Sequence, residues 1–443
     1  MNIVEKIANA GVIGAGGAGF PTHVKLNSKA EYVLLNGAEC EPLLRVDQQL
    51  MEYYPEKIIE GLYEAGKFVE AEKAIIGIKK KHKEVIEILN AKIEEMGLSG
   101  KVEVGILPDV YPAGDEQVLV YELTGRVVPE LGIPIAVGCV VINTETALNI
   151  YNAIRDIPVT MKYITIAGDV PCPVTVKVPV GTPIVEVLAM AGVLEPTAFE
   201  IIDGGPMMGP LMKDVGGYVT KKTKGLVVLR KEHSLVARKK REMKSACNLN
   251  KTACEQCRMC TDLCPRYLLG HSTSPHKMVR AVAYGAAADE NVTVAQTCCQ
   301  CNLCEYFSCP AGISPKMANV YFMGKLREKN IRHKSNKTEF KPREMREYRM
   351  VPSKRLIARL ELDSFDKAAP LDAEKEYMPE VVGISLTSHV GAGAKALVNV
   401  GDHVEAGQLI GDVEEGSLGA KVHASIRGTV SQIDGNCIVI RRE

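Results

Sequence analysis

Two runs of closely spaced cysteines in the middle of the chain constrain its fold more than any other feature. In each run, three cysteines follow one another with two residues between them, and a fourth cysteine precedes a proline. This spacing lets a single loop wrap three corners of an iron–sulfur cube, and the cysteine before the proline completes a cluster. The runs are Cys254, Cys257, Cys260 and Cys264 before Pro265, and Cys298, Cys301, Cys304 and Cys309 before Pro310.

The alternative to iron–sulfur clusters is a pair of structural zinc sites. Zinc ligands usually form two Cys-x2-Cys pairs held apart in sequence, so the repeated triple favours two [4Fe–4S] clusters. The runs resemble those of two-cluster ferredoxins, in which the fourth cysteine of each run ligates the other cluster. That resemblance implies that Cys309 completes the first cube and Cys264 the second. Cys299 is either a spare thiol or a replacement for Cys298, and Cys247 fits neither pattern.

Composition limits the classes of function that remain open. The chain has 443 residues, enough for about three domains. Lysine plus arginine and aspartate plus glutamate both number 54, so no excess charge favours nucleic-acid binding. No apolar run is long enough to span a membrane, and the first ten residues do not resemble a signal peptide. Fourteen cysteines without a leader predict metal ligands rather than disulfides, in a reducing cytoplasm.

The apolar periodicity and the charge composition of the sequence change several times along the chain. Buried strands are predicted at 32–35, 74–78 and 102–107, and helices at 55–69 and 83–96, so an α/β unit begins the chain. A small β-rich unit follows from about residue 162. The segment His276–Ala288 between the cysteine runs has helical periodicity, which predicts a helical ferredoxin-like module. Basic stretches at 221–244 and 325–359 are either solvated surface or a docking face for an acidic partner.

A glycine-rich loop near the start, Gly14–Gly19, is a candidate phosphate-binding element. Glycines let backbone N–H groups approach a phosphate without obstruction by side chains, and Lys25 could add positive charge. Alone, the loop predicts phosphate binding no better than a simple surface loop. It also differs from the usual dinucleotide fingerprint, because no strand precedes it.

Three further segments, 36–42, 111–116 and 142–146, give the loop a context. With it they resemble the flavin-binding segments of the NADH-oxidising subunit of respiratory complex I, and more closely those of the RnfC protein of the Rnf electron-transport complex. The resemblance implies that the loop cradles FMN and leaves room for NADH. The implied cofactor-binding residues are Gly14, Gly16, Gly17, Gly19, Phe20, Lys25, Asn36, Glu39, Glu41, Tyr111, Gly114, Asp115, Glu116, Asn143 and Thr144.

Several of these residues have a simpler interpretation from the sequence alone. Glu39 and Glu41 would otherwise be read as an ordinary surface turn, and Phe20 and Tyr111 fit core packing equally well. No protein general acid or base is predicted to be catalytic, since hydride and electron transfer depend on positioning and on tuned potentials.

Two more regions carry a resemblance to known domains. Residues 167–170, 178–183 and 204–209 resemble a soluble-ligand-binding β-grasp (SLBB) domain, and 398–408 with 423–430 resemble a barrel-sandwich domain of lipoyl type. The expected fold is therefore multidomain, with α/β and β units. The predicted domains are an FMN/NADH-binding, complex I flavoprotein-like α/β domain (1–158), an SLBB β-grasp domain (159–235), a helical two-[4Fe–4S] ferredoxin-like domain (236–335), a basic connector (336–379) and a barrel-sandwich hybrid domain (380–443).

With the barrel-sandwich domain last, the order over nearly the whole chain resembles the cobalamin reductases of propanediol-utilising microcompartments. The resemblance implies an NADH-dependent oxidoreductase that passes electrons through FMN and two clusters to cob(III)alamin and cob(II)alamin, for reactivation of a B12-dependent diol dehydratase. The implied partners are a transient corrinoid and an adenosyltransferase, microcompartment shell protein or electron-transfer protein. The implied location is the cytoplasm or a microcompartment within it.

Two alternatives remain open at this stage. One is a peripheral NADH-oxidising subunit of an Rnf-like complex, whose acceptor is a protein. The other is a scaffold that carries clusters on a degenerate flavin fold, because Ala15 and Ala38 replace residues usual in complex I.

Overall fold

The computed structural model describes residues 2–372 and 376–443. Met1, in the predicted first domain, and residues 373–375, in the predicted connector, lie outside the described residues. Within the described part of the chain, no helix combines the length and the apolar character needed to cross a membrane.

The first unit is a parallel sheet with apolar cores on both faces. Successive residues of its central strand point to opposite faces, so Val33 and Leu35 pack into one core and Leu34 into the other. Its helices are α1 (Ile3–Asn9), α2 (Thr22–Leu26), α3 (Val46–Tyr53), α4 (Pro55–Phe68), α5 (Lys83–Glu95), α6 (Glu116–Thr124) and α7 (Thr144–Ile154), and its strands are β1 (Tyr32–Gly37), β2 (Lys73–Lys79), β3 (Val102–Leu107), β4 (Val110–Tyr111) and β5 (Cys139–Asn143).

The strand order β3–β2–β1–β5 determines where ligand-binding side chains meet. Strands β1 and β5 are parallel neighbours, and their register pairs Asn36 with Asn143 at the carboxyl edge. Crevices at the carboxyl ends of parallel strands are the usual ligand-binding positions in open α/β sheets. Helix α4 packs closely on α7, because a side chain at Gly61 would lie 2.0 Å from the Ala147 carbonyl oxygen.

The second unit is a four-stranded mixed sheet crossed by one helix. Its first and last strands pair in parallel at the centre, and each has an antiparallel partner outside it, in the order β7–β6–β9–β8. This hairpin–helix–hairpin arrangement is that of a β-grasp sheet, and we call this unit the β-grasp domain. Its elements are β6 (Met161–Gly168), β7 (Val174–Pro179), α8 (Ile184–Met190), β8 (Phe199–Asp203) and β9 (Gly225–Arg230).

The cysteine runs lie in a helical unit, as the sequence predicted. The helix expected at His276–Ala288 ends at Ala283, and Gly285 beyond it adopts a left-handed φ of 65°. Proline at the first position begins three of the helices. The helices are α9 (Ser234–Lys239), α10 (Met243–Thr252), α11 (Met259–Asp262), α12 (Pro265–Leu268), α13 (Pro275–Ala283) and α14 (Pro315–Glu328), with a 3-10 turn at Glu290–Thr297 and a π turn at Cys304–Ser308.

The segment predicted as a connector contributes to the first unit's structure. It contains α15 (Arg346–Arg349), β10 (Val351–Pro352) and α16 (Ser353–Arg359). Strand β10 pairs antiparallel with β4, and Lys79 Nζ donates a 3.0 Å hydrogen bond to Ser353 Oγ. The basic composition had suggested a solvated linker, but part of this segment completes a small sheet beside the carboxyl edge.

The last unit consists of two sheets around one apolar core. Their orders are β11–β17–β16–β13 and β12–β14–β15. Its Val390 N–H donates to the Gly19 carbonyl at 3.0 Å, so this unit touches the glycine-rich loop. The strands are β11 (Val381–Ser385), β12 (Lys395–Ala396), β13 (His403–Val404), β14 (Leu409–Asp412), β15 (Val422–His423), β16 (Gly428–Asp434) and β17 (Cys437–Arg442).

Candidate redox sites

Four thiols from the two cysteine runs line one cavity. Three come from the first run and the fourth is the last cysteine of the second run. Cys257 is exposed, so this cavity lies at the surface of the helical unit. Among the described residues, no group of three or more His, Cys, Asp or Glu side chains is placed to bind a metal ion. The thiols that share the cavity are Cys254, Cys257, Cys260 and Cys309.

The remaining four run cysteines form a second, more deeply buried group. Burial raises the pKa of Cys264, and Cys299 and Cys298 raise it further. Burial likewise raises the pKa of Cys304, with added contributions from Cys298, from Cys260 of the first group and from Cys264. Cys301 and Cys304 are buried. Each group therefore offers four thiols, the donor set of a [4Fe–4S] cluster, and metal binding would replace their protons.

The backbones of the two cysteine loops repeat one conformation. The residue before the second cysteine is left-handed in both loops, Gln256 with φ 53° and Gln300 with φ 55°. The residue after it is left-handed as well, Arg258 with φ 66° and Asn302 with φ 62°. Such alternation turns successive N–H groups inward and forms the concave nest found at many iron–sulfur sites. The local conformation therefore fits the clusters that the spacing predicted.

Cys299 lies within the second thiol group. Its thiol forms a hydrogen bond with that of Cys301, which lowers the pKa of Cys299. The guanidinium group of Arg266 also faces it. Cys247 lies apart, with its Sγ 3.8 Å from Met243 Sδ. The question left open for Cys299, spare thiol or substitute ligand, stays open.

The glycine-rich loop closes on itself above the carboxyl edge of the parallel sheet. The Gly14 N–H donates to the Phe20 carbonyl at 2.9 Å. A side chain at Gly16 would lie 3.3 Å from Asn143 Nδ2, whereas Gly17 faces open space. Gly16 and Gly17 are exposed, and their N–H groups donate to no acceptor in the described protein. The loop thus offers the uncovered cradle that a phosphate group needs.

The predicted segments 36–42, 111–116 and 142–146 meet beside this loop. Asn36 Nδ2 donates to the Gly114 carbonyl at 2.8 Å, and Thr144 Oγ1 donates to the Asn36 carbonyl at 3.4 Å. A side chain at Gly114 would lie 2.9 Å from Cys40 Sγ and 3.0 Å from Asn36 Oδ1. Burial raises the pKa of Cys40 to about 11, so it acts here as a packed thiol.

Four other predicted residues lie around the same edge. Lys25 Nζ and Glu116 Oε1 form an ion pair at 2.9 Å, and Phe20 is 36% exposed on the loop. Asp115 caps α6 through the N–H groups of its second and third residues. The other oxygen of Asp115 accepts a 2.8 Å hydrogen bond from Arg266 of the helical unit. Asp115 therefore connects the flavin edge to the cysteine module.

Glu41 and Tyr111 face other domains rather than the glycine-rich loop. The two carboxylate oxygens of Glu41 accept from the N–H groups of Met207 and Met208, at 2.8 and 2.9 Å. Tyr111 is buried, and its hydroxyl donates to the Cys301 carbonyl at 2.8 Å. Core packing, the alternative interpretation of Tyr111, agrees with this position. Both residues bind neighbouring domains to the first unit.

Sequence reasoning missed a buried group of charges beneath the loop. Lys224 of the β-grasp domain pairs with Glu39 Oε1 at 3.2 Å and with Asp47. Burial, together with the nearby carboxylate of Glu39, raises the pKa of Asp47 to about 7. Lys162 pairs with Glu145. Glu39 and Glu145 lay in segments already of interest. Asp47, Lys162 and Lys224 were not recognised, because no spacing rule links lysines in one domain to acids in another.

Comparison with protein families agrees with this division into units. Residues 7–152 match the Nuo51 FMN-binding domain, residues 253–314 the 4Fe-4S dicluster domain, and residues 366–441 the RnfC barrel sandwich hybrid domain. These matches confirm the predicted multidomain fold, FMN and the iron–sulfur clusters. They define a flavin- and iron–sulfur-binding oxidoreductase. The SLBB identity of the β-grasp domain and the predicted domain boundaries stay predictions.

Comparison with individual proteins identifies the family within this class of oxidoreductases. Cobalamin reductase PduS of Citrobacter freundii is 44% identical over 445 residues, covering 100% of this chain and 97% of that protein. Cobalamin reductase PduS of Salmonella typhimurium is also 44% identical, covering 99% and 96%. One component of the Na⁺-translocating ferredoxin:NAD⁺ oxidoreductase complex of Acetobacterium woodii is 36% identical, covering 60% of this chain and 58% of that component. The chain belongs to the cobalamin reductase PduS family.

Proposed function

We propose that this chain is an NADH-dependent cobalamin reductase, which passes electrons from NADH through FMN and two [4Fe–4S] clusters to cob(III)alamin and cob(II)alamin. The observation that carries the proposal is identity of 44% to cobalamin reductases along nearly the entire length of both chains. When bound, FMN supplies the exchange between a two-electron hydride donor and one-electron clusters. The residues of the chain hold the cofactors in place and keep them within reach of one another.

The flavin edge has parts suited to a nucleotide phosphate and to a ring system. Exposed N–H groups of Gly16 and Gly17 would hold the phosphate, beside the amino terminus of α7 at Thr144. Lys25 adds a cation at the same edge, already paired with Glu116. Asn36 and Gly114 are hydrogen-bonded to each other at the same edge. This arrangement supports the predicted cofactor-binding set with four exceptions, whose polar side-chain atoms are engaged by other protein groups: Glu39, Glu41, Tyr111 and Asp115.

The contacts between domains support an order for the two thiol groups. Tyr111 connects the flavin domain to Cys301, a member of the second group, and Asp115 connects it to Arg266, which faces Cys299. We infer that the cluster held by Cys264, Cys298, Cys301 and Cys304 receives electrons first. The group that contains the exposed Cys257 would then pass them to the acceptor at the surface.

The alternative of a peripheral component of an Rnf-like complex has weaker support. The Acetobacterium woodii relative matches 60% of this chain, whereas the cobalamin reductases match its whole length. We further propose a cytoplasmic enzyme within a propanediol-utilisation microcompartment, acting with an adenosyltransferase or with a shell or electron-transfer protein. Family membership is the support for this setting.

An anaerobic titration of the reconstituted protein, followed by visible absorbance, tests the function. NADH should bleach the flavin and cluster bands, and hydroxocobalamin should restore them with about two cob(II)alamin formed per NADH, since each takes one electron. Bleaching without reoxidation by cobalamin would overturn the corrinoid acceptor and favour the Rnf-like alternative. No response to NADH, or iron retained without flavin, would overturn the mechanism at its first step and favour the scaffold.

A further inference from the structure

The β-grasp domain extends two lysines into the flavin domain. Lys162 lies in β6 and Lys224 directly precedes β9, the parallel neighbour of β6. The two strands are joined at this end by a 3.1 Å hydrogen bond from the Thr165 N–H to the Lys224 carbonyl. The side chain of Lys162 is 1% exposed. A buried lysine is costly unless its charge is paired, so its partners indicate what it does.

Lys162 has two partners, and one belongs to the glycine-rich loop. Its ammonium group pairs with Glu145 at the start of α7, and the Glu145 side chain is 2% exposed. The same ammonium group donates a 3.0 Å hydrogen bond to the carbonyl oxygen of Ala15. The Ala15 N–H donates to Thr146 Oγ1 at 3.1 Å. Both the carbonyl and the N–H group of Ala15 are therefore held by buried side chains.

The orientation of Ala15 determines the orientation of the next N–H group. A trans peptide is planar, and its carbonyl and N–H groups point in opposite directions. Among the described residues the peptide bond that is cis is Tyr111–Pro112, so the Ala15–Gly16 bond is trans. With the Ala15 carbonyl directed inward at Lys162, the Gly16 N–H must point outward. Gly16 and Gly17 are exposed, and nothing lies within 4 Å of a Cβ built at Gly17.

We propose that Lys162 is a positioning residue for the flavin phosphate. By holding the Ala15 carbonyl from beneath, the lysine keeps the Gly16 N–H directed at the phosphate of FMN. Through Lys162 the β-grasp domain then supports the flavin site from beneath the glycine-rich loop. This inference rests on the proposed function only in that FMN is the nucleotide bound by the loop.

The first test is the affinity of the full-length, cluster-reconstituted protein for FMN, measured by fluorescence titration after flavin removal. Lys162→Met should weaken FMN binding on the order of tenfold, the usual effect of misplacing one hydrogen bond to a charged group. Riboflavin lacks the phosphate, so its affinity should change less than about twofold. A residue that merely held the domains together would weaken both ligands alike.

Lys221→Met is the matched control. Lys221 is also a buried lysine of the β-grasp domain, and it donates to the carbonyl groups of Gly11 and Lys421, at 2.8 and 2.9 Å. It crosses domain boundaries without contacting residues 14–19, so FMN affinity should stay within about twofold of the wild type. Lys162→Arg keeps a cationic donor and should recover part of the lost affinity.

Some results would overturn the inference. Wild-type FMN affinity in Lys162→Met, equal losses for FMN and riboflavin, or equal losses in Lys162→Met and Lys221→Met would each do so. If Lys162→Met does not fold, the double change Lys162→Met with Glu145→Gln removes both charges, and the selective loss of FMN is expected there. Wild-type protein that binds FMN but does not reduce cobalamin would refute the proposed acceptor alone.

Discussion

The clustered cysteines all come from one helical unit, whereas the glycine-rich loop is completed by three units of the fold. Cys254 to Cys309 span a single stretch of chain, and the two loops repeat the same left-handed positions. The glycine-rich loop depends on Asn143 from its own unit, Lys162 from the β-grasp domain and Val390 from the last unit. The cysteine module is therefore locally encoded, and the flavin edge is assembled by domain packing.

This difference predicts different responses to mutation. Changing one cluster ligand should remove one cofactor and leave the other site intact. Changing a residue at a domain contact that supports the glycine-rich loop should alter flavin binding even when that residue never touches the flavin. The following predictions test this contrast, in order of decreasing effect.

The largest effect should follow replacement of a buried cluster ligand. Cys304→Ser removes one thiol from the second group, so about half of the iron should be lost, because the thiols of the two runs divide between two cubes. FMN content should stay near the wild-type value. Iron and flavin analysis after anaerobic reconstitution measures both. Cys172→Ser is the control, since Cys172 is exposed and lies outside the runs; unchanged iron in Cys304→Ser would contradict the assignment.

A large side chain at Gly114 should disrupt the flavin edge alone. Gly114→Val places atoms within 3.0 Å of Cys40 Sγ and Asn36 Oδ1, and such overpacking costs about 1–3 kcal/mol. FMN should be lost while iron is retained, which is the converse of the first prediction. Thermal unfolding and FMN fluorescence provide the measurements. Gly66→Ala in α4 makes only ordinary contacts and should leave both cofactors unchanged; loss of iron in Gly114→Val would argue against separate sites.

Tyr111→Phe tests the contact that joins the two regions. The change leaves the buried Cys301 carbonyl without its 2.8 Å donor, which should cost about 1–2 kcal/mol. We expect faster loss of iron to a chelator, followed by absorbance, while FMN affinity is unaffected. Tyr348→Phe is the control, because Tyr348 is 82% exposed. Equal chelation rates for all three proteins would mean that this contact does not support the second cysteine loop.

The smallest effect concerns pH and the contact of the last unit with the first. Burial lowers the pKa of His423 from 6.5 to about 3. The unfolded chain therefore binds a proton between pH 6.5 and 3 that the folded chain excludes, and stability falls as pH falls through this window. Over the first pH unit below 6.5 the loss should be about 1 kcal/mol.

The loss of stability is measured by thermal unfolding of the wild type and of His423→Asn, at pH 6.5 and at one pH unit below it. The variant should lose less stability on acidification than the wild type. His403→Asn, at a histidine whose side chain is 76% exposed, should behave as the wild type does. A pH response in His423→Asn equal to that of the wild type would contradict the assignment to His423.

Much of the architecture followed from the sequence, because its signals are local. Apolar runs placed the cores of β1, β2 and β3, and helical periodicity placed α4 and α5. Polar residues at strand ends carried no such signal. Strand β1 continues through Asn36 and Gly37, because its parallel neighbours supply hydrogen bonds there. Strand β10 went unrecognised for the same reason, since two residues become a strand only beside β4.

The kind of chemistry can be inferred from the sequence alone. Cysteine spacing is a local property, because one loop must wrap one cube, and the family matches confirmed the clusters and FMN that the motifs predicted. The completion of the flavin edge, in contrast, depends on the packing of the domains. Lys162 and Ala15 are in contact although they are 147 residues apart in the chain. Glu41 and Tyr111, which were predicted to bind the flavin, contact neighbouring domains instead. Such contacts depend on how folded domains pack, which no local pattern records.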